Sequence, residues 1–252
     1  MTQDTPRWTE IEHLPEWDEE FYHIYTAKKF GKWVMCKTLR PEYASDPHYM
    51  DMLEREFDVR YNLAHPNIVM INDLEDIPGV GRCIVTDDVY GDSLRKLLDE
   101  GRVTDRHLEQ LRHQLVGAME YIQSNHIVHP PLKPENIIFT ENIGNLKLID
   151  VGFEQRPSLT PREQSDDIYN YGLVLREVLD KTGSSDPTLR YVARRCTDPD
   201  PRKRFKDLPA LHLALEGRNT RRLYLIVIAF LAVMVLVLLW LLSPYRPAPP
   251  AA

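Results

Sequence analysis

Cysteine is scarce in this chain and follows no pattern. Cys36, Cys83 and Cys196 are the only three among 252 residues, an odd count with no C-x-x-C pair. That excludes a disulfide framework or a cysteine-built zinc site, and fits reduced thiols in apolar positions. Net positive charge is missing too. The whole chain carries −7, and because four arginines and no acidic residue lie beyond residue 216, residues 1–216 carry −11. A domain so acidic is a poor nucleic-acid binder, so no nucleic acid is expected among its partners. The opening residues, MTQDTPRWTEIEHLPEW, have no apolar core, so no secretory signal is expected ahead of the domain. There is no internal repeat and no long linker before Gly217.

One long hydrophobic run stands out. Leu223 to Leu242, LYLIVIAFLAVMVLVLLWLL, is twenty residues without a charge, glycine or proline. That is the helix length a bilayer core requires, and a buried core helix would usually keep a polar face that this one lacks. A transmembrane helix is therefore expected over 223–242, preceded by a basic juxtamembrane segment, 217–222. Arg218, Arg221 and Arg222 crowd that side while only Arg246 follows, so the positive-inside rule places residues 1–222 in the cytoplasm. The proline-rich tail, 243–252, would lie outside the membrane and is too short to fold as a receptor domain.

Short strand-like runs dominate the first ninety residues: HIYTAKK, WVMCKTL, IVMINDLED and RCIVTDD, with a helical stretch at HYMDMLEREFDVRYNL. After Gly91 helical periodicity takes over. In DRHLEQLRHQLVGAMEYIQ, Leu108, Leu111, Leu115 and Ile122 share one face. NIIF and LKLID follow as short strands, then DDIYNYGLVLREVLDKTG as a helix ended by Gly183, and TLRYVARRC and LPALHLAL as further helices. The expected fold is α+β in two lobes, a β-rich lobe over 13–91 and a helical lobe over 92–216, with 1–12 as a tail.

Five motifs in order carry a resemblance across about residues 13–215: VMCK, a helix glutamate nine residues before HPNIV, the hinge-like IVTDDVYGDSL, HPPLKPEN, and LKLIDVG. Together they resemble a protein kinase domain of the serine/threonine type. The resemblance implies that Lys37 grips nucleotide phosphates, that Glu56 pairs with it, and that Asp150 and Asn136 hold metal. It also implies that Lys133 contacts the transferred phosphate and that Ile24, Met35, Thr86 and Ile138 line the adenine position. For Lys37 and Glu56 a structural ion pair, independent of catalysis, is equally open.

The departures from the family are chemical. After His129 the family has arginine and aspartate, whereas this chain has Pro130 and Pro131. Proline carries neither a base nor an N–H, so Pro131 cannot accept the hydroxyl proton. Glu135 belongs to the loop frame and should point elsewhere. No glycine lies between Ile11 and Ile24, where the family covers phosphates with a glycine-rich loop; Glu16, Asp18, Glu19 and Glu20 stand there instead. Met35 replaces a small alanine above adenine, and either fills part of that space or turns into the lobe core. Val151 replaces a phenylalanine and Arg60 an apolar helix contact, so a fixed conformation is expected. Fourteen residues separate Gly152 from Asp167, too few to dock substrate, with Glu163 expected to pair with Arg204.

The expected function is that of a membrane-anchored pseudokinase, a scaffold or regulator acting through a protein partner, at a bacterial cytoplasmic membrane. The alternatives are a weak ATP-dependent serine/threonine kinase and a non-catalytic nucleotide sensor. No cofactor is expected under the first reading, and ATP with magnesium under the others.

Overall fold

The computed structural model describes residues 6–141, 144–216 and 219–242, with side-chain surroundings in the last helix over 224–240. The N-terminal lobe is a five-stranded antiparallel sheet. Its strands are β1 (Trp8–His13), β2 (Tyr22–Lys29), β3 (Lys32–Leu39), β4 (Ile71–Ile77) and β5 (Gly81–Asp87), in the order β1-β2-β3-β5-β4. Phe30 and Gly31 close the β2–β3 hairpin with φ of 49° and 82°, the double positive φ that suits the twist of a two-residue turn. Period-two alternation then sends Val34 and Cys36 to an outer apolar cluster with Ala27, Cys83 and Val85. Leu39 goes to the opposite face with Tyr22, Ile71 and Ile84.

Helix α1 (Pro47–Arg60) packs on that second face. Asp46 caps it by accepting the His48 N–H at 2.8 Å, with Pro47 in the first turn, where a missing N–H costs nothing. Its buried residues are Leu53, Glu56 and Arg60, so two charges sit on its inward face.

The first strand corrects the expected boundary, since the supposed tail over 1–12 supplies β1, which pairs with β2 along the sheet edge. No residue of WTEIEH is fully buried and a bulge interrupts the register between Thr9 and Glu12, so the stretch carries no alternating signal to read.

The C-terminal lobe starts with β6 (Gly91–Ser93) and α2 (Leu94–Asp99), followed by α3 (Asp105–Gln110), a π-helical turn at Leu111–Leu115 and α4 (Val116–Ser124). The strands β7 (Ile127–Val128), β8 (Ile137–Thr140), β9 (Leu146–Leu148) and β10 (Glu154–Gln155) precede α5 (Pro161–Thr182), α6 (Pro187–Cys196) and α7 (Leu208–Glu216). Leu115, Ile122, Ile168, Leu189 and Leu208 lie at the centre of one continuous apolar core. Strands pair β6-β8-β9, which carries Ile138 and Asn136 up to the lobe boundary.

Gly91 sits so close to β8 that an added Cβ would lie 2.1 Å from the Phe139 carbonyl oxygen. Gly91→Ala is expected to cost about 1–3 kcal/mol as overpacking. A thermal melt showing no loss of midpoint would contradict that contact.

Helix α8 (Asn219–Leu242) ends the described chain. Its described side chains, 224–240, are uncharged and exposed throughout. Among the described residues no helix is long and apolar enough to cross a membrane. The side chains of 217–222 and all of 243–252, expected as juxtamembrane segment and tail, lie outside the described residues.

Candidate active-site cleft

A cleft of about 520 Å³ lies between the sheet and the strands of the second lobe, a size suited to a small molecule. Strand register sets its upper wall. Ile24 lies opposite Lys37 on β2 and β3, and Met35 lies opposite Thr86 on β3 and β5. Met35, Ile24, Thr86 and Ile138 all line the cleft. Met35 therefore faces the cleft and not the lobe core, yet leaves it open.

Lys37 is held by two carboxylates. Its Nζ donates to Glu19 at 2.8 Å and lies 3.1 Å from Glu56, with the Tyr22 ring 4.1 Å away. Burial alone would depress the Lys37 pKa, but Glu56 and Glu19 more than offset this and raise it. The Glu19 contact comes from the glycine-free loop between β1 and β2. Arg40 fixes that loop by donating to the Glu19 carbonyl at 2.9 Å.

Glu56 is only 2% exposed and serves two cations. The Arg60 guanidinium donates to it at 2.5 Å and, through Nη2, to the Ile149 carbonyl at 3.0 Å. Burial would raise the Glu56 pKa, but Lys37 and Arg60 together pull it below the ordinary value. Arg60 thus bonds α1 directly to the residue preceding Asp150.

On the lower wall, Asn136 donates to the Asp150 carboxylate at 3.2 Å. The Ile149 N–H donates to the Asn136 carbonyl at 3.0 Å, which locks the two segments together. Pro131 is exposed and brings no ionisable group to the loop. Lys133 is exposed and is not among the residues lining the cleft. Glu135 is engaged by Arg95 Nε at 2.8 Å. His129 Nδ1 donates to the Pro130 carbonyl at 2.5 Å, and burial lowers its pKa.

The segment after Gly152 is short because α5 begins early. Thr160 and Glu163 form a reciprocal capping box at its start, the local signature of T-P-R-E. Glu163 pairs with Arg156 at 2.7 Å. The expected Glu163–Arg204 pair does not form. Arg204 instead donates to the Asp198 carbonyl at 2.9 Å and to the Ser165 hydroxyl at 3.3 Å, and lies over the Tyr169 ring. A glutamate in the first helical turn is better used on the helix's own N–H groups and dipole than on a distant arginine.

A family profile for the protein kinase domain matches residues 21–168. The chain belongs to the protein kinase family. Among curated kinases it is 38% identical over 138 residues to a probable serine/threonine-protein kinase of Streptomyces coelicolor, covering 53% of this chain and 20% of that protein. It is 30% identical over 183 residues to serine/threonine-protein kinase PrkC of Bacillus subtilis, covering 62% of this chain and 28% of that one. The match to serine/threonine-protein kinase 36 of Pongo abelii, 31% identical, takes in 55% of this chain but 10% of the relative. This chain thus spans under a third of the length of these three relatives. The kinase domain of Mycobacterium tuberculosis PknI superposes with a TM-score of 0.60 at 19% identity, covering 84% of this chain and 96% of that one. That likeness shows the two-lobed kinase fold.

Kinases use ATP with magnesium, and the cleft fits that pair unevenly. Asn136 and Asp150 stand together and each side chain carries an oxygen that a hard cation could take, although here the Asn136 amide N–H is turned to the Asp150 carboxylate. The phosphate end does not fit as built, because Glu19 occupies Lys37 and the covering loop offers carboxylates in place of glycine N–H groups. The role of Arg60 in this arrangement was missed in the sequence, although Glu56 and Arg60 stand four apart on one helix, the spacing of an ion pair.

Proposed function

We propose that this kinase-family protein is a pseudokinase, a cytoplasmic scaffold or regulator held at a membrane, acting by binding a signalling protein. The observation that carries the reading is Pro131 at the position of the catalytic base, with the neighbouring carboxylate Glu135 tied to Arg95. Phosphoryl transfer to a hydroxyl needs a placed acceptor for its proton or slow positioning alone. The Glu19–Lys37 contact adds a second obstacle, since a carboxylate stands where phosphate charge would have to sit.

The membrane anchor is α8. Every described side chain on it is uncharged and exposed, and a helix surface apolar all round suits lipid better than water. The arginines at 218, 221 and 222 support a cytoplasmic kinase-like domain, at a bacterial cytoplasmic membrane.

A second reading, a weak ATP-dependent serine/threonine kinase, is favoured by the Lys37–Glu56 pair, the adjacent Asn136 and Asp150, the open cleft, and relatives named as kinases. A third, a nucleotide sensor, needs the same groups without turnover. One experiment separates them: the full chain in detergent, with labelled ATP and magnesium or manganese, beside Asp150→Ala. Transfer no greater than the Asp150→Ala background is expected. Transfer that Asp150→Ala abolishes would replace the first reading with the second. A nucleotide-dependent rise in melting temperature without transfer would make the cleft a sensor.

A further inference from the structure

The loop between β1 and β2 carries a second cluster of side chains, whose Asp18 also lines the rim of the cleft. His13 ends β1, Asp18 follows the short 3-10 turn Pro15–Trp17, and His23 is the second residue of β2. His13 Nε2 lies 3.0 and 3.1 Å from the two Asp18 carboxylate oxygens, and His23 Nδ1 lies 2.8 Å from Oδ2. One nitrogen from each ring and the carboxylate all fall within 4.8 Å of one another. The group is held from several sides. Asp18 Oδ1 accepts the Ile24 N–H at 3.0 Å, Leu14 N–H donates to the Ile24 carbonyl at 2.8 Å, and His13 packs on His23 and Tyr25. The Asp18 side chain is 13% exposed, which keeps most water from competing for it.

We propose that His13, Asp18 and His23 form a binding site for a zinc ion. Two imidazoles and one carboxylate are a borderline donor set that suits zinc and related transition ions, whereas calcium and magnesium prefer oxygen throughout. Tetrahedral zinc with bonds of about 2.0–2.2 Å places its ligand atoms roughly 3.3–3.5 Å apart. The His–Asp separations lie only a few tenths of an ångström inside that, so a small opening admits the ion and leaves a fourth position for water. Without metal, each imidazole donates its proton to Asp18 through the same nitrogen that would ligate zinc. The ion replaces those two hydrogen bonds with shorter bonds and fixes the residue next to Glu19. The site stands whether or not the cleft takes nucleotide.

His113, His212 and Glu216 form another such group, at a more exposed place on the second lobe, and serve as the control. The full chain, stripped with chelator, is titrated with zinc by calorimetry. One tight site is expected, retained in His212→Ala. In His13→Gln and His23→Gln, affinity should fall by more than the ~10–100-fold that loss of a mere supporting group costs a metal site. No binding, or binding lost in His212→Ala and unchanged in the His13 and His23 variants, overturns the proposal. If those two variants lose the metal-free circular dichroism of the wild type, zinc-edge absorption on His212→Ala protein decides. Two imidazole ligands there support the site, and an oxygen-only shell overturns it.

Discussion

Glu56→Ala is expected to destabilise the domain by about 3–5 kcal/mol, read as a fall in the denaturant midpoint. The reason is an asymmetry among three side chains. Glu56 is 2% exposed and is the carboxylate that faces both Lys37 and Arg60, and Arg60 is itself buried. Its removal leaves the Arg60 charge in the core with one neutral partner, the Ile149 carbonyl. Lys37→Met should cost clearly less, because Glu56 keeps Arg60 and the half-exposed Glu19 returns to water. Equal losses in the two variants would show that Arg60 is not the charge that matters. The same arrangement sets an acid limit. The Glu56 pKa is depressed in the fold, so its contribution is complete above the ordinary value of 4.5 and is lost as pH falls through the folded value.

Asp167→Asn should have the opposite sign. Asp167 is 5% exposed, and Gln123 donates to it at 2.6 Å. The nearby turn has prolines at 130 and 131, which offer no N–H to a carboxylate. Burial, with Asp166 and Glu163 adding to it against the Gln123 bond, pushes its pKa from 3.8 up to about 7. Between those values the folded chain holds a proton that the unfolded chain has released. Stability therefore falls as pH rises across that window and stays low above it. At about 1.4 kcal/mol per pKa unit, the full loss approaches ~4 kcal/mol. Asparagine keeps an acceptor for Gln123 and never ionises. The variant should match the wild type near pH 4 and melt well above it at pH 8. Parallel pH profiles for the two proteins would mean that Asp167 is ionised in the fold without penalty.

The parts of this fold that were legible in the sequence are those where burial and period coincide. WVMCKTL alternates across a sheet with one face against α1, and the long helix ended by Gly183 keeps its apolar stripe and a left-handed cap at φ 65°. Strand β1 escaped because an edge strand with no buried residue leaves no pattern. The site divides along the same line. Lys37, Glu56, Asn136 and Asp150 are marked by motif order, and the structure gathers them on the two walls of one cleft. What sequence could not supply is which of several neighbouring carboxylates reaches a given cation. Glu19 was one acid among Glu16, Asp18 and Glu20, and only the path of the loop selects it for Lys37. Glu163 turned inward to its own helix end for a local reason, the capping box, which outweighed a distant partner.

The bond from Arg60 to the Ile149 carbonyl has a consequence for recognition. A protein that visits its binding-competent shape only part of the time binds with an affinity diluted by that fraction. Here the helix is fastened across the lobes to the residue that follows β9, so a change in how the lobes sit must break that bond or carry both ends along. If that fastening holds a single shape in solution, a protein reading the surface over α1 would show equal apparent and intrinsic dissociation constants. Control of such a complex would then rest on how much partner reaches the surface, with little left for a change of shape to adjust.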